Sequence, residues 1–255
     1  MKTRNRTFIA AAIAVLAGTI GIATPAHADE TEAFAEVSSV TVNADGTVTK
    51  RIFTPAPDVT PTELARMLTE SGVPNVVVHT EGDISAQAAA CSLGTARTWP
   101  TSTTCFWRWA YKGQPRPILH FLDRTSAAWP VGRAATEWNT VSGIDSIRRT
   151  PSAGCLSSAH CIDMVSANYG NTGWVGETWV RWNAAETYAT SAAIYLNDYH
   201  ANTETEKWTA ACHEMGHALG LDHNTSTGSC MYGKLVAGMS KYPNANDKAL
   251  LERYY

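Results

Sequence analysis

Five positions in one short stretch carry the chemistry of this chain: His213, Glu214, His217, Gly220 and His223. They lie in His213-Glu214-Met215-Gly216-His217-Ala218-Leu219-Gly220-Leu221-Asp222-His223, which reads H-E-x-x-H-x-x-G-x-x-H. Residues four apart on an α-helix share a face about one turn apart, so His213 and His217 can present imidazoles to one metal ion. Gly220 tolerates a left-handed backbone and can end the helix, turning the chain so that His223 arrives as a third ligand. Three protein nitrogens are the donor set of a catalytic zinc, because the fourth tetrahedral position stays open for water; a structural zinc is closed by four. Glu214, beside the first ligand, is placed to take a proton from that water. Chance clustering of histidines in a core helix would satisfy all five positions in roughly a few of 10⁵ chains of this length.

A helix over residues 204–219 must carry the first two ligands. Thr203 and Glu206 make a capping box at its start. Trp208, Ala211, Cys212, Met215, Ala218 and Leu219 then follow the helical period. That apolar stripe faces the core and leaves His213 and His217 on the opposite side, toward a cleft. Residues 117–122, 162–167 and 192–197 read as strands, and 131–139 as a helix that begins at Pro130 and carries Trp138. Residues 173–183, with Trp174, Val175, Trp179, Val180 and Trp182, read as an exposed edge strand rimmed by aromatics. A short closing helix, capped by Asn246 or Asp247, runs to the chain end. Residues 91–255 are therefore expected to form one α+β domain.

The flanking sequence sets the compartment. Lys2, Arg4 and Arg6 precede an apolar run at residues 8–23, and Ala26-His27-Ala28 matches a small-x-small cleavage signal. Residues 1–28 are thus read as a signal peptide, and the product as secreted. No later stretch is apolar enough to span a bilayer. All six cysteines lie further on: Cys91, Cys105, Cys155, Cys161, Cys212 and Cys230. An even number in an exported chain points to disulfides, with 15 pairings open; their order suggests that neighbours pair. Cys212 is one residue, a rotation of about 100°, from His213 and so points away from the histidine face. A net charge of −3 without any basic block gives no sign of a nucleic-acid partner or of stable membrane association.

Residues 29–90 contain neither cysteine nor tryptophan, although the chain has nine tryptophans. Residues 37–42 and 47–53 read as a hairpin around Asn43-Ala44-Asp45-Gly46. Thr60-Pro61-Thr62-Glu63 reads as a capping box that starts a helix to about Glu70, and 75–79 as a strand. The functional reading is a propeptide that blocks the cleft until it is removed, making the chain a zymogen. The alternative is an accessory domain or spacer that stays attached.

The motif and its surroundings resemble the metzincin metalloproteases, and within them the matrixins. The resemblance rests on His213, Glu214, His217, Gly220 and His223, and on Met231 in Ser229-Cys230-Met231-Tyr232-Gly233, which matches the Met-turn beneath the metal. Trp138-Asn139 with Val141 and Ile144, Ile162-Asp163-Met164, Ala193-Ile194-Tyr195-Leu196-Asn197 and residues 247–255 extend it. It implies a zincin domain with a twisted mixed five-stranded sheet, a backing helix, an active-site helix and a C-terminal helix. It also implies a zinc endopeptidase that holds one catalytic ion and uses Glu214 as general base. An extended protein or peptide substrate would pair with the edge strand within residues 173–183 of a monomer, and the loop 232–245 would wall the side-chain pocket. Calcium is allowed by family analogy alone, since no dense acidic loop marks a site.

Several positions depart from the family pattern. Asn224 stands where matrixins typically have serine. Tyr232 reads as structural. No cysteine switch exists in residues 29–90, so latency must come from a carboxylate such as Asp83 or from steric cover. His120, His160 and His200 read as surface or capping histidines rather than accessory zinc ligands. Two other functions keep the same scaffold: an inactive peptide-binding module, disfavoured by the intact Glu214, and a hydrolase of cell-wall peptides.

Overall fold

The computed structural model describes residues 35–79, 91–101 and 104–255; the signal peptide expected at 1–28, Asp83 and the propeptide boundary expected at residue 90 lie outside the described residues. The N-terminal part comprises β1 (Glu36–Val42), β2 (Val48–Pro55), α1 (Pro61–Glu70) and β3 (Val76–His79). β1 and β2 form the expected hairpin, with the Asp45 carboxylate accepting the Thr47 N–H at 3.0 Å inside the turn. Thr60 caps α1 by accepting the Glu63 N–H at 3.1 Å, while the Glu63 carboxylate turns to Arg66 instead of closing a capping box.

The rest of the chain supplies β4 (Ser92–Leu93), β5 (Ala96–Arg97), β6 (Arg108–Trp109), β7 (Ile118–Arg124), α2 (Val131–Trp138), β8 (Asp145–Arg149), β9 (His160–Ala167), β10 (Trp174–Trp182), β11 (Tyr188–Asn197), α3 (Glu204–Leu219) and α4 (Ala245–Tyr254). Five long strands line up as β8-β7-β9-β11-β10. The first four run parallel to their neighbours and β10 runs antiparallel to β11, which is the expected mixed five-stranded sheet. The short β6 adds a parallel bridge at the start of β11.

One expectation is corrected here. β10 is not an exposed edge, because β2 pairs antiparallel along it and β1 and β3 continue the same sheet. The N-terminal segment is thus continuous with the main sheet. The strand alternation explains why it fits: successive residues face opposite sides. Ile52 enters the large core beneath the sheet, where α2 and α3 pack. Phe53, its neighbour, joins Val37, Leu64, Leu68 and Trp174 in a second core under α1 on the other face. Both faces of β2 are therefore buried by different layers, and an edge strand that would otherwise invite pairing is covered.

Three disulfides join Cys91 to Cys105, Cys155 to Cys161 and Cys212 to Cys230, each between sequence neighbours as their order suggested. α4 is capped by Asn244, not Asn246 or Asp247; Asp247 is instead the reciprocal partner that completes the capping box. No helix among the described residues is long and apolar enough to cross a membrane.

Candidate metal centre

α3 is fixed at both ends and along its back. Thr203 accepts the Glu206 N–H at 3.2 Å and Glu206 accepts the Thr203 N–H at 2.8 Å, the capping box expected from sequence. The indole N–H of Trp138 donates to the Cys212 carbonyl and that of Trp109 to the Ala218 carbonyl, both at 2.9 Å. At the C-terminus Gly220 adopts φ 110°, a left-handed value that other residues reach only with strain. The chain then reverses, with the Leu221 N–H bonded to the Gly216 carbonyl at 3.0 Å.

That reversal brings the third imidazole in. The candidate ligand atoms of His213, His217 and His223 all lie within 4.8 Å of one another, and the residues are 0%, 0% and 3% exposed. His213 Nδ1 bonds to the Cys230 carbonyl at 2.8 Å and His217 Nδ1 to the Leu221 carbonyl at 2.9 Å. Carbonyls only accept, so each Nδ1 carries the proton and each Nε2 is left with a lone pair. Both Nε2 atoms are buried and have no hydrogen-bond partner among the described residues. Leaving such atoms unpaired costs about 1–3 kcal/mol each, and a divalent cation removes that cost. Burial, and then the neighbouring His223, drive the His213 pKa down to about 3; burial likewise lowers that of His217. Both rings are held neutral, the form that binds metal. Trp99 stacks on His217 with ring centroids 4.8 Å apart.

Met231 packs against the back of α3. Its thioether sulfur lies against Gly216, whose missing side chain leaves the room. The turn is held by Asp247, which accepts from the Ser229 hydroxyl at 2.5 Å, the Asn224 amide at 2.7 Å and the Asn244 N–H at 2.7 Å. The unusual Asn224 is thereby explained: it is buried and spans from the segment after the third imidazole to the start of α4.

Glu214 is fully buried beside the triad, and two hydroxyls hold its carboxylate. Thr178 of β10 donates to Oε2 at 2.6 Å, and Thr54 of β2 donates to Oε1 at 2.5 Å. Burial pushes the carboxyl up to about 8, against the pull of these two bonds. The cleft expected in front of His213 and His217 is covered by the N-terminal segment. Glu36 and Lys50 pair there at 2.7 Å, with the Lys50 ammonium 4.5 Å from the Trp99 ring centroid. Burial alone would raise the Glu36 carboxyl; the charge and hydrogen bond of Lys50 outweigh it and hold the pKa at about 2.

A pocket of about 350 Å³ opens along α3, lined by Thr209, one turn before His213, by Leu235, Val236 and Met239 from the loop after Met231, and by Pro57. His120 and His160 are not surface histidines: they are 1% and 7% exposed. The His120 ring accepts the Leu156 N–H, and the His160 ring bonds to the Ala110 carbonyl. Neither joins the triad, nor does the half-buried His200.

Thr54, Thr178, Trp99 and Asp247 escaped the sequence reading. Asp247 alone carried a signal, as a candidate helix cap. The two threonines sit in strands that were legible, but alternation does not say which residue ends opposite Glu214.

A comparison with curated proteins finds no match. The family model described as Matrixin matches residues 109–255, more than half of the chain and all of the metal-binding motif. With this triad on this sheet, the chain belongs to the matrixin family, and through it to the zinc metallopeptidases.

Proposed function

We propose that this protein is a secreted zinc endopeptidase for extended polypeptides, made in a self-covered form, and that residues 29–90 must leave before it turns over. One observation carries the reading: an extended segment, β2, already lies along β10 with a hydroxyl on the Glu214 carboxylate. A substrate strand in the same place would gain the same ladder of backbone hydrogen bonds, which is strand addition. Export agrees with the three disulfides, which persist in oxidising compartments.

The residues divide the work. His213, His217 and His223 would hold the zinc, which when bound supplies Lewis-acid polarisation of the scissile carbonyl and acidifies water. Glu214 takes a proton from the attacking water as the new C–O bond forms. It then returns that proton to the amide nitrogen as the C–N bond breaks. Thr178 keeps one carboxylate oxygen fixed while the other faces the reacting atoms. The pocket between α3 and residues 235–239 accepts one substrate side chain. The N-terminal cover acts as a strand, with β2 along β10, the Thr54 hydroxyl on Glu214 and Glu36 paired with Lys50.

Clearing of a casein gel by the processed protein, abolished by a chelator and by Glu214→Ala, is the expected result. Chelator-resistant clearing, or clearing by Glu214→Ala, contradicts the assignment.

A further inference from the structure

Resting on that reading, we infer that Glu177 is a specificity-determining residue which selects a basic side chain on the N-terminal side of the scissile bond. If β2 occupies the substrate's strand, its side chains report what the neighbouring subsites accept. Glu177 lies on the face of β10 away from α3, directly opposite Phe53, and Arg51 is its diagonal neighbour on the same face. Arg51 Nε meets Glu177 Oε1 at 2.6 Å, and Glu177 is only 5% exposed. A carboxylate so deeply buried is stable there because a guanidinium answers it. Once β2 leaves, that cation leaves with it.

The surroundings suit a long basic side chain. In the covered form the groove on this face has a volume of about 570 Å³; Tyr169, Trp174, Trp179 and Tyr195 line it around Glu177 and stay when β2 leaves, whereas Arg51 and three other lining residues of the β1–β2 hairpin leave with it. Aromatic walls accept the aliphatic stem and the planar head of arginine while the carboxylate fixes the end. Arg181 also lines the groove. It sits four residues along β10, roughly 13 Å away at strand spacing, and the Glu177 carboxylate pairs with Arg51. Arg51 is three residues before Thr54, the residue on Glu214. The favoured basic residue therefore falls at one fixed position, three before the residue that faces Glu214.

The test profiles cleavage of a peptide mixture by the protein produced as the full chain and allowed to process, with Glu177→Gln and Glu177→Lys alongside. Matched peptides with Arg, Gln or Glu at the enriched position give kcat/KM ratios, Arg over Gln first, that are insensitive to how much of each variant folds. The expected ratio is about tenfold or more for the wild type, since charged hydrogen bonds are worth about 1.5–3 kcal/mol. It should fall to near one in Glu177→Gln and favour Glu over Arg in Glu177→Lys. Chelator-sensitive cleavage without basic enrichment, or a ratio unmoved by Glu177→Gln, overturns the subsite and leaves the peptidase standing. Absence of chelator-sensitive cleavage overturns the peptidase reading and the subsite together.

Discussion

The Thr54 hydroxyl donates to Glu214 Oε1 at 2.5 Å across 160 residues of chain, in a fully buried contact. Thr178 holds the other oxygen from the neighbouring strand. Both oxygens of the carboxylate that the peptidase reading needs are therefore taken, and one of the two donors belongs to the N-terminal segment. Thr54→Val keeps the shape and the strand pairing but removes a donor to a buried acceptor. That costs about 1–3 kcal/mol, or roughly 5- to 150-fold in the equilibrium that releases β2. The uncut chain should then hydrolyse a short peptide measurably faster than the unsubstituted uncut chain. Equal rates would show that the hydroxyl does not hold the cover in place.

Metal content separates two kinds of damage at the triad. His217→Ala removes a ligand and should lose zinc by elemental analysis, together with the stabilisation that binding to the native state provides. Glu214→Gln should keep zinc while turnover falls by several orders of magnitude, the scale set by losing a general base in a metal-assisted hydrolysis. A Glu214→Gln protein that lacks zinc would move this residue from proton transfer to metal retention.

Asp247 holds the turn around Met231 through three donors, from Ser229, Asn224 and Asn244. Asp247→Ala leaves them unpaired in a region where Asn224 and Ser229 are fully buried. The expected loss is about 3 kcal/mol or more by urea unfolding, with weakened zinc retention because Met231 and the Cys230 carbonyl lie in the same turn. A loss under about 1 kcal/mol would mean that the turn is held by the Cys212–Cys230 bridge alone.

His120 gives the stability a pH dependence away from the metal. Its Nδ1 accepts the Leu156 N–H at 3.2 Å, and burial, with the Arg149 charge adding, lowers its pKa below the ordinary histidine value. The unfolded chain then binds the proton more readily than the folded one. The stabilisation is present above about pH 6.5 and is lost as pH falls through the lower folded value. His120→Asn, which keeps an acceptor but no titration, should be less stable than wild type at pH 7.5, and the gap should narrow at pH 5.5. Both proteins carry the same triad, so their difference isolates position 120. A constant gap would contradict the account.

Much of this was legible before any coordinates. The triad, the Gly220 turn and the α3 capping box follow from local rules, in which residue type and spacing fix geometry within a turn or two of chain; Met231 was singled out by the family resemblance alone. The hairpin and the helix of the N-terminal segment were legible for the same reason. What could not be read was where that hairpin docks. The pairing of β2 with β10 joins residues more than a hundred positions apart, and the aromatic alternation of β10 fits an open edge as well as a covered one. Thr54 looks like any strand threonine until β2 is laid against Gly176, where a Cβ would overlap the Glu214 carboxylate. The buried state of His120 and His160 was missed because nothing local distinguishes a core histidine from a surface one.

The most direct test follows N-terminal mass and chelator-sensitive peptide hydrolysis together on one sample of the full chain during processing. Activity is predicted to be near zero while residues 35–79 remain attached and to rise in step with their loss, with Glu214→Gln staying inactive throughout. Full activity in a chain that still carries the segment, or a cleanly processed zinc-loaded chain that cleaves nothing, would contradict the claim that β2 occupies the place of the substrate.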